Sequence, residues 1–134
     1  MMQVATVADG QPWVCTVYYV EDERLNLYWL SLPTRRHSLE IARHNRIAVA
    51  VPIKVSKPVI GLQAEGFATA VANKRTIAKV MKLYAERYDA GQQFYDNFVA
   101  GRNQHVLFRF KPTAYVLFDE VIFPTDGRKE IRFD

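Results

Sequence analysis

Basic side chains are concentrated where a predicted strand gives way to a predicted helix. Segment 31–38 reads SLPTRRHS, and Thr34 is the expected N-cap of the helix that follows. First helical turns favour acidic side chains, because the positive end of the helix dipole lies there. Arg35, Arg36 and His37 occupy this turn instead, beside backbone N–H groups that can bind an anion. The segment therefore predicts a phosphate site, with a solvated basic turn as the alternative, and a His37 pKa that rises when phosphate binds.

Other catalytic patterns are missing from the sequence. Cys15 lies in an apolar strand, where a thiol is usually a packing residue, and His37, His44 and His105 do not have metal-binding spacing. There is no glycine-rich nucleotide loop and no GxSxG elbow. The pattern thus indicates no catalytic residue and no metal site. The strand 13–19 offers apolar surface and extended backbone on which a flat heteroaromatic ring could lie.

The predicted elements are mainly strands joined by short turns. Asp9-Gly10 is typical of a hairpin turn, and Asn73 is the expected cap of an amphipathic helix. The predicted strands cover residues 4–8, 13–20, 25–32, 47–51, 59–71, 105–110 and 114–123, with Pro112 between the last two and a turn at 126–127. The predicted helices cover residues 35–43, 73–88 and 92–100. This order favours a mainly β (α+β) fold, a small antiparallel split β-barrel with flanking helices, closed so that no strand edge is left free.

Composition and charge narrow the class of protein. The 134 residues are 49% hydrophobic, which excludes a disordered chain, and fit one domain spanning residues 1–134. A lone cysteine excludes an internal disulfide framework, and no apolar run approaches the roughly 20 residues of a membrane span, so a cytoplasmic protein is expected. Residues 34–111 carry fourteen basic and five acidic side chains, which favours an anionic partner. The bases lie on helices and a turn, away from the strand aromatics, which argues against nucleic acid.

Four segments resemble the FMN-binding split-barrel family that includes pyridoxamine 5'-phosphate oxidase. They are DGQPWVCTVYY, LNLYWLS, TRRHSLEIARHNRIAVAV and GLQAEGFATAV, all within the first 71 residues. The third is the most specific, because it is similar to the family's turn of a hydroxyl residue and basic residues followed by an amphipathic helix and a strand. The resemblance implies a homodimer with FMN in each of two clefts at the interface, acting as an oxidoreductase or flavin reductase on a small molecule. F420 or haem in place of FMN, or a flavin-binding module without activity, are the alternatives.

The resemblance also implies which residues hold the cofactor. Arg36 and His37 match the basic pair that binds the phosphate, within the turn that includes Thr34 and Arg35, and Ser31 matches a hydroxyl at the end of the preceding strand. The residues implied to line the flavin ring are Thr16, Val17, Tyr18 and, displaced by two positions from the family's glutamine, Gln63. Arg128 and Lys129 are implied to reach the flavin of the partner subunit.

Overall fold

A computed structural model describes residues 1–134 as eight strands and three helices. The strands are β1 (Met2–Ala8), β2 (Gln11–Val17), β3 (Val20–Glu21), β4 (Leu27–Ser31), β5 (Arg46–Lys54), β6 (Ile60–Ala70), β7 (Val106–Asp119) and β8 (Arg128–Arg132). The helices are α1 (Arg36–Arg43), α2 (Lys74–Arg87) and α3 (Gly91–Val99). None of the three has the length and apolar character needed to span a membrane.

All strands belong to one antiparallel sheet with the order β2-β1-β5-β6-β7-β4-β3, and β8 pairs with the second half of β7. The curled sheet with its flanking helices confirms the predicted split barrel. The expected closure by strand pairing does not occur, because β2 and β3 are the two ends of this order. The barrel is therefore open along a gap between two strand edges.

Two apolar clusters hold the sheet and helices together. The inner face of the sheet contributes alternate residues of neighbouring strands, such as Val4 opposite Val49 and Val49 opposite Ala64, around a fully buried Trp29. On the other face of β4 and β7, α2 and α3 pack through a second cluster that contains Met81. The buried Val80 and Met81 and the partly buried Ile77 and Tyr84 follow the helical spacing that predicted α2.

The chain between β2 and β3 departs from the predicted single strand 13–20. Strand β2 ends at Val17, which pairs with Met2 at the start of its only partner β1, and the C-cap residue of α2 takes the backbone groups of Tyr19 beyond it. The Tyr19 N–H donates to the Tyr88 hydroxyl at 3.0 Å, and the Tyr88 hydroxyl donates to the Tyr19 carbonyl at 2.6 Å. Arg87 adds a paired ion bridge to Glu21, with both N–O distances 2.6 Å. This end of α2 fixes the exit of β2.

The predicted break at Pro112 is wrong: β7 runs through it as one strand of 14 residues. Pro112 pairs with Gly66, and Ala114 pairs with Glu65, so Thr113 is an extra residue that forms a bulge. The Thr113 hydroxyl donates to the Glu65 carbonyl at 3.1 Å. Pro112 has no N–H to donate, and it is tolerated here because the bulge interrupts the regular hydrogen bonding between the two strands.

The C-terminal part of the chain also differs from the sequence prediction. Strand β7 ends at Asp119 rather than residue 123, because the Asp119 carboxylate accepts the backbone N–H groups of Val121 and Ile122 and forms a turn. The residues after the predicted turn form a strand, β8, which pairs with β7.

We expect Gly66→Ala to destabilise the fold by about 3 kcal/mol, which is the cost of forced overpacking. A Cβ at Gly66 would lie 2.2 Å from the Lys111 carbonyl oxygen, which is backbone and cannot rotate away. Gly61→Ala in the same strand is the control, because its Cβ would meet only the Val51 carbonyl oxygen at 3.8 Å. Urea denaturation measures both; equal midpoints for the two variants would contradict the close approach at the bulge.

Candidate functional site

The start of α1 has backbone donors without protein partners. The N-cap residue is Arg35 rather than the predicted Thr34, since Arg35 has extended backbone angles of φ −69° and ψ 148°. The Arg35 side chain cannot cap the helix, and no other side chain does. The first N–H that bonds within the helix is that of Leu39, to the Arg35 carbonyl. The N–H groups of Arg36, His37 and Ser38 are therefore free to bind a ligand.

The start of α2 gives a direct comparison. Its first turn also carries two bases, Lys74 and Arg75, and no acid. Asn73 caps that helix, however, with its side chain accepting the Thr76 N–H at 2.9 Å. A basic first turn is thus not unique to α1, and the feature that distinguishes α1 is the uncapped backbone.

His37 is fixed to the end of β4 by a buried hydrogen bond. Its Nε2 lies 2.6 Å from the Ser31 hydroxyl, and both side chains are buried. The Ser38 hydroxyl donates to the Leu32 carbonyl at 2.8 Å and fixes the intervening turn. Burial, with the nearby Arg35 guanidinium, holds the pKa of His37 below its usual 6.5. Two residues of the predicted phosphate site are therefore in contact, and the imidazole is neutral at pH 7.

Arg36 has an internal counter-ion, Glu40, so the predicted phosphate is not the only negative charge near the bases of this turn. Its Nε donates to Glu40 at 2.8 Å, one helical turn later. Glu40 is buried and also accepts a hydrogen bond from the Thr6 hydroxyl. The Arg36 guanidinium lies over the indole of Trp13, with 4.3 Å between its Cζ and the ring centre. These contacts leave both terminal nitrogens of Arg36 without a protein acceptor.

The sequence prediction missed Glu40 and Thr6. Glu40 could have been found, because residues four apart on a helix are neighbours and an arginine-to-glutamate pair at that spacing is favourable. Thr6 is 34 residues away in the chain. Its contact with Glu40 depends on how α1 crosses the sheet, and no local pattern in the sequence indicates that.

Three of the four residues predicted along the flavin ring, Thr16, Val17 and Tyr18, lie on or next to β2, one free edge of the sheet. Val17 packs against the inner core, whereas Thr16 points to the outer face of the sheet. Tyr18 follows the strand, is 55% exposed and contacts the Tyr88 ring at 5.0 Å between ring centres. The free edge leaves the outward backbone groups of β2 without strand partners, as ring binding requires.

Within one chain, Gln63 lies far from the other predicted site residues. Thr16, Gln3, Ala50 and Gln63 form one cross-strand row on the outer face, each opposite the next. Three strand spacings separate Thr16 from Gln63, which is roughly 14 Å. Gln63 lies instead in a shallow groove of about 540 Å³ on that outer face.

Two cavities of the chain lie away from Arg36 and His37. One, of about 540 Å³, lies between α1 and the β6–β7 pair, and the other is the groove at Gln63. Neither is lined by Arg36 or His37. Ser38 lines the cavity beside α1, whereas Arg36 and His37 lie outside both cavities.

Comparisons with known proteins agree with this architecture. A family model described as "Pyridoxamine 5'-phosphate oxidase" matches residues 1–118. A search of curated proteins found no significant match. Among solved structures, a conserved hypothetical protein from Mycobacterium tuberculosis has a TM-score of 0.77 and 18% identity, covering 92% of this chain and 79% of its own.

Two other solved structures carry ligand-related descriptions. HutZ from Vibrio cholerae, described as a haem storage protein, has a TM-score of 0.65 and 20% identity over 83% of this chain and 80% of its own. A FAD-binding protein from Mesorhizobium loti has a TM-score of 0.66 and 19% identity over 85% of this chain and 81% of its own. At these identities the likeness establishes the shared fold.

We expect His37 to make the fold less stable in acid. Its pKa is lowered in the folded state, so below about pH 6.5 the unfolded chain binds this proton more readily, and the free energy of unfolding falls as the pH decreases. His37→Gln keeps a polar partner for Ser31 and has no such proton. The stability advantage of the wild type over this variant should therefore shrink between about pH 7 and pH 5. Urea denaturation across that range measures it, and an advantage that grows in acid would contradict the lowered pKa.

Proposed function

The chain belongs to the pyridoxamine 5'-phosphate oxidase family, and we propose that it is an oxidoreductase that binds FMN with the phosphate at the start of α1. The observation that carries the proposal is the uncapped first turn of α1, which has Arg35 at its N-cap and Arg36 as its first residue. The N–H groups of residues 36–38 have no protein acceptor, and neither do the terminal nitrogens of Arg36, whose side chain is 46% exposed. Amide donors and guanidinium nitrogens at a helix N-terminus suit a phosphate dianion.

The proposed role of the remaining residues is binding and orientation. When bound, FMN supplies the hydride or electron transfer, and the chain itself needs no catalytic base. The free edge of β2 would bind the polar rim of the ring, and Tyr18 would border it on the side of α2. Ser31 and His37 would hold the phosphate turn in place, with the Ser31–His37 hydrogen bond keeping the neutral imidazole fixed. The substrate would be a small molecule that reaches the exposed side of the ring.

The proposed assembly is a homodimer with the cofactor at the interface. Within one chain, Gln63 lies three strands from Thr16, so one chain alone does not bring together all the residues proposed to bind the flavin. A partner copy would cover the open side of the site. Arg128 and Lys129, both exposed on β8, are proposed to approach the partner's flavin. Light scattering of the FMN-loaded protein should give twice the mass of one chain, and a flavin-loaded monomer would contradict the assembly.

The alternatives are distinguished by the side chains they require. Haem needs one free imidazole nitrogen, and the hydrogen bonds of His37 Nε2 to Ser31 and of His105 Nδ1 to Asn103 leave the second ring nitrogen of each histidine available. F420 also carries a phosphate and would use the same turn. Nucleic acid is disfavoured because Arg43, Lys79 and Arg87 are neutralised by acids of the chain. Absorbance titrations with FMN, F420 and haemin discriminate these cofactors, and FMN should bind most tightly.

We expect Arg35→Ala to weaken FMN binding about tenfold, or about 1.4 kcal/mol, and to leave riboflavin binding unchanged, because riboflavin lacks the phosphate. Arg35 forms no ion pair or side-chain hydrogen bond in the chain, so its loss leaves no buried group unpaired. Flavin fluorescence quenching gives both dissociation constants.

Arg75→Ala is the matched control, because it removes an exposed base from the first turn of the capped helix α2. Its FMN affinity should equal that of the wild type. An equal loss in both arginine variants would indicate attraction by net charge alone, and a wild type that leaves flavin fluorescence unchanged would overturn the proposed function.

A further inference from the structure

The Arg36 guanidinium is held on two sides before any ligand is present. Glu40 accepts from its Nε at 2.8 Å, and the Trp13 indole lies under its plane with 4.3 Å to the ring centre. The Arg36 side chain is nevertheless 46% exposed, whereas the Glu40 side chain is 8% exposed. The arginine therefore reaches the surface from a buried acid and an aromatic wall.

Glu40 is itself anchored to the sheet through Thr6, whose hydroxyl donates to its second carboxylate oxygen. Thr6 pairs directly with Trp13 across β1 and β2. The acid and the aromatic ring that hold Arg36 thus stand on the same cross-strand pair, and the four side chains form a closed ring of contacts. Hydrogen bonds from Arg36 and then from Thr6 hold the pKa of Glu40 below its usual 4.5, so the carboxylate is charged at neutral pH.

We propose that Glu40 is a positioning residue that fixes the Arg36 guanidinium so that its two terminal nitrogens face the phosphate of the bound cofactor. Glu40 bonds to Nε alone, and this contact uses the inner edge of the guanidinium. The outer edge, with its fork of terminal N–H donors, is the part that matches a phosphate in two-point binding. This inference rests on the proposed function, since it takes the cofactor's phosphate as the ligand of Arg36.

A purely electrostatic role for Glu40 would have the opposite sign. A carboxylate one helical turn from the phosphate repels it, so removal of the negative charge by itself would tighten FMN binding. A positioning role predicts that FMN binds more weakly when Glu40 no longer contacts Arg36, even though the repulsion between the carboxylate and the phosphate is lost at the same time. The conservative variant separates the two effects, because a glutamine keeps the contacts and loses only the charge.

The experiment compares Glu40→Leu with Glu40→Gln by titration with FMN and with riboflavin. Leucine fills the buried space but holds neither Arg36 nor Thr6, and we expect it to weaken FMN binding about tenfold while riboflavin affinity changes less than about twofold. Glutamine can accept from Arg36 through its amide oxygen and donate to the Thr6 hydroxyl, so its FMN affinity should equal or exceed that of the wild type.

Asp9→Asn is the matched control for the loss of an acid beside α1. Asp9 pairs with Arg43 at 3.0 Å at the other end of the same helix, and both side chains are exposed. Its FMN affinity should not change. If Glu40→Leu fails to fold, Thr6→Val supplies the measurement, because it keeps the side-chain shape, removes only the donor to Glu40 and should weaken FMN binding about threefold without affecting riboflavin.

Each outcome decides the inference. Tighter FMN binding in both Glu40 variants would leave only the charge effect and overturn the positioning role. Equal losses for FMN and riboflavin would show a general structural role and overturn it as well. If the wild type binds neither flavin, the proposed function is overturned. If the wild type binds FMN and the Glu40→Leu and Thr6→Val variants bind it equally well, the proposed function stands and only the positioning role of Glu40 is overturned.

Discussion

The open side of the sheet depends on α1, which crosses between its two halves. At its start the helix is tied to β4, through the Ser31–His37 contact and the bond from Ser38 to the Leu32 carbonyl. Further along, side chains of the same helix bind the β1–β2 hairpin. These contacts are Arg36 with Trp13, Glu40 with Thr6, and Arg43 with Asp9. These contacts of α1 act together with the two apolar clusters and the contacts of Tyr88 with Tyr19 to hold a sheet whose end strands do not pair, and so the position of the proposed anion site is linked to the shape of the barrel.

The contacts of α1 distinguish the basic residues at its start from those at the start of α2. Two helices begin with paired basic residues, and one of them has an ordinary structural explanation, since Asn73 caps α2 and its bases lie in solvent. In α1 the cap is missing, and one arginine is held by a buried acid rather than left in solvent. Charge alone does not distinguish these two turns. Unpaired backbone donors together with an oriented guanidinium do, because they form a surface that only an acceptor-rich group complements.

The sequence correctly predicted the elements of this fold that are determined by local side-chain patterns. The spacing of Ile77, Val80 and Met81 identified α2 with its Asn73 cap, and the β-branched runs identified most strands. It failed where distant groups compete for the same backbone. Tyr88 takes the hydrogen bonds of Tyr19 and so separates β2 from β3, although 69 residues separate the two tyrosines in the chain. Likewise a proline that locally breaks a strand is accommodated by a bulge opposite Gly66, which depends on the register of two long strands.

Some features of the candidate site could likewise be predicted from the sequence, and others could not. The basic turn and its hydroxyl neighbour are local, so residues 31–37 could be selected from the sequence, and the contact between Ser31 and His37 follows from their closeness to one turn. The uncapped state of α1 could not be foreseen, because it depends on a one-residue difference in where the helix begins, at Arg36 rather than directly after Thr34. The separation of Gln63 from the β2 edge could not be predicted either, because it depends on three successive strand pairings. Gln63 lies on the outer face because side chains alternate between the two faces of β6, and in the proposed dimer that face would meet the second copy.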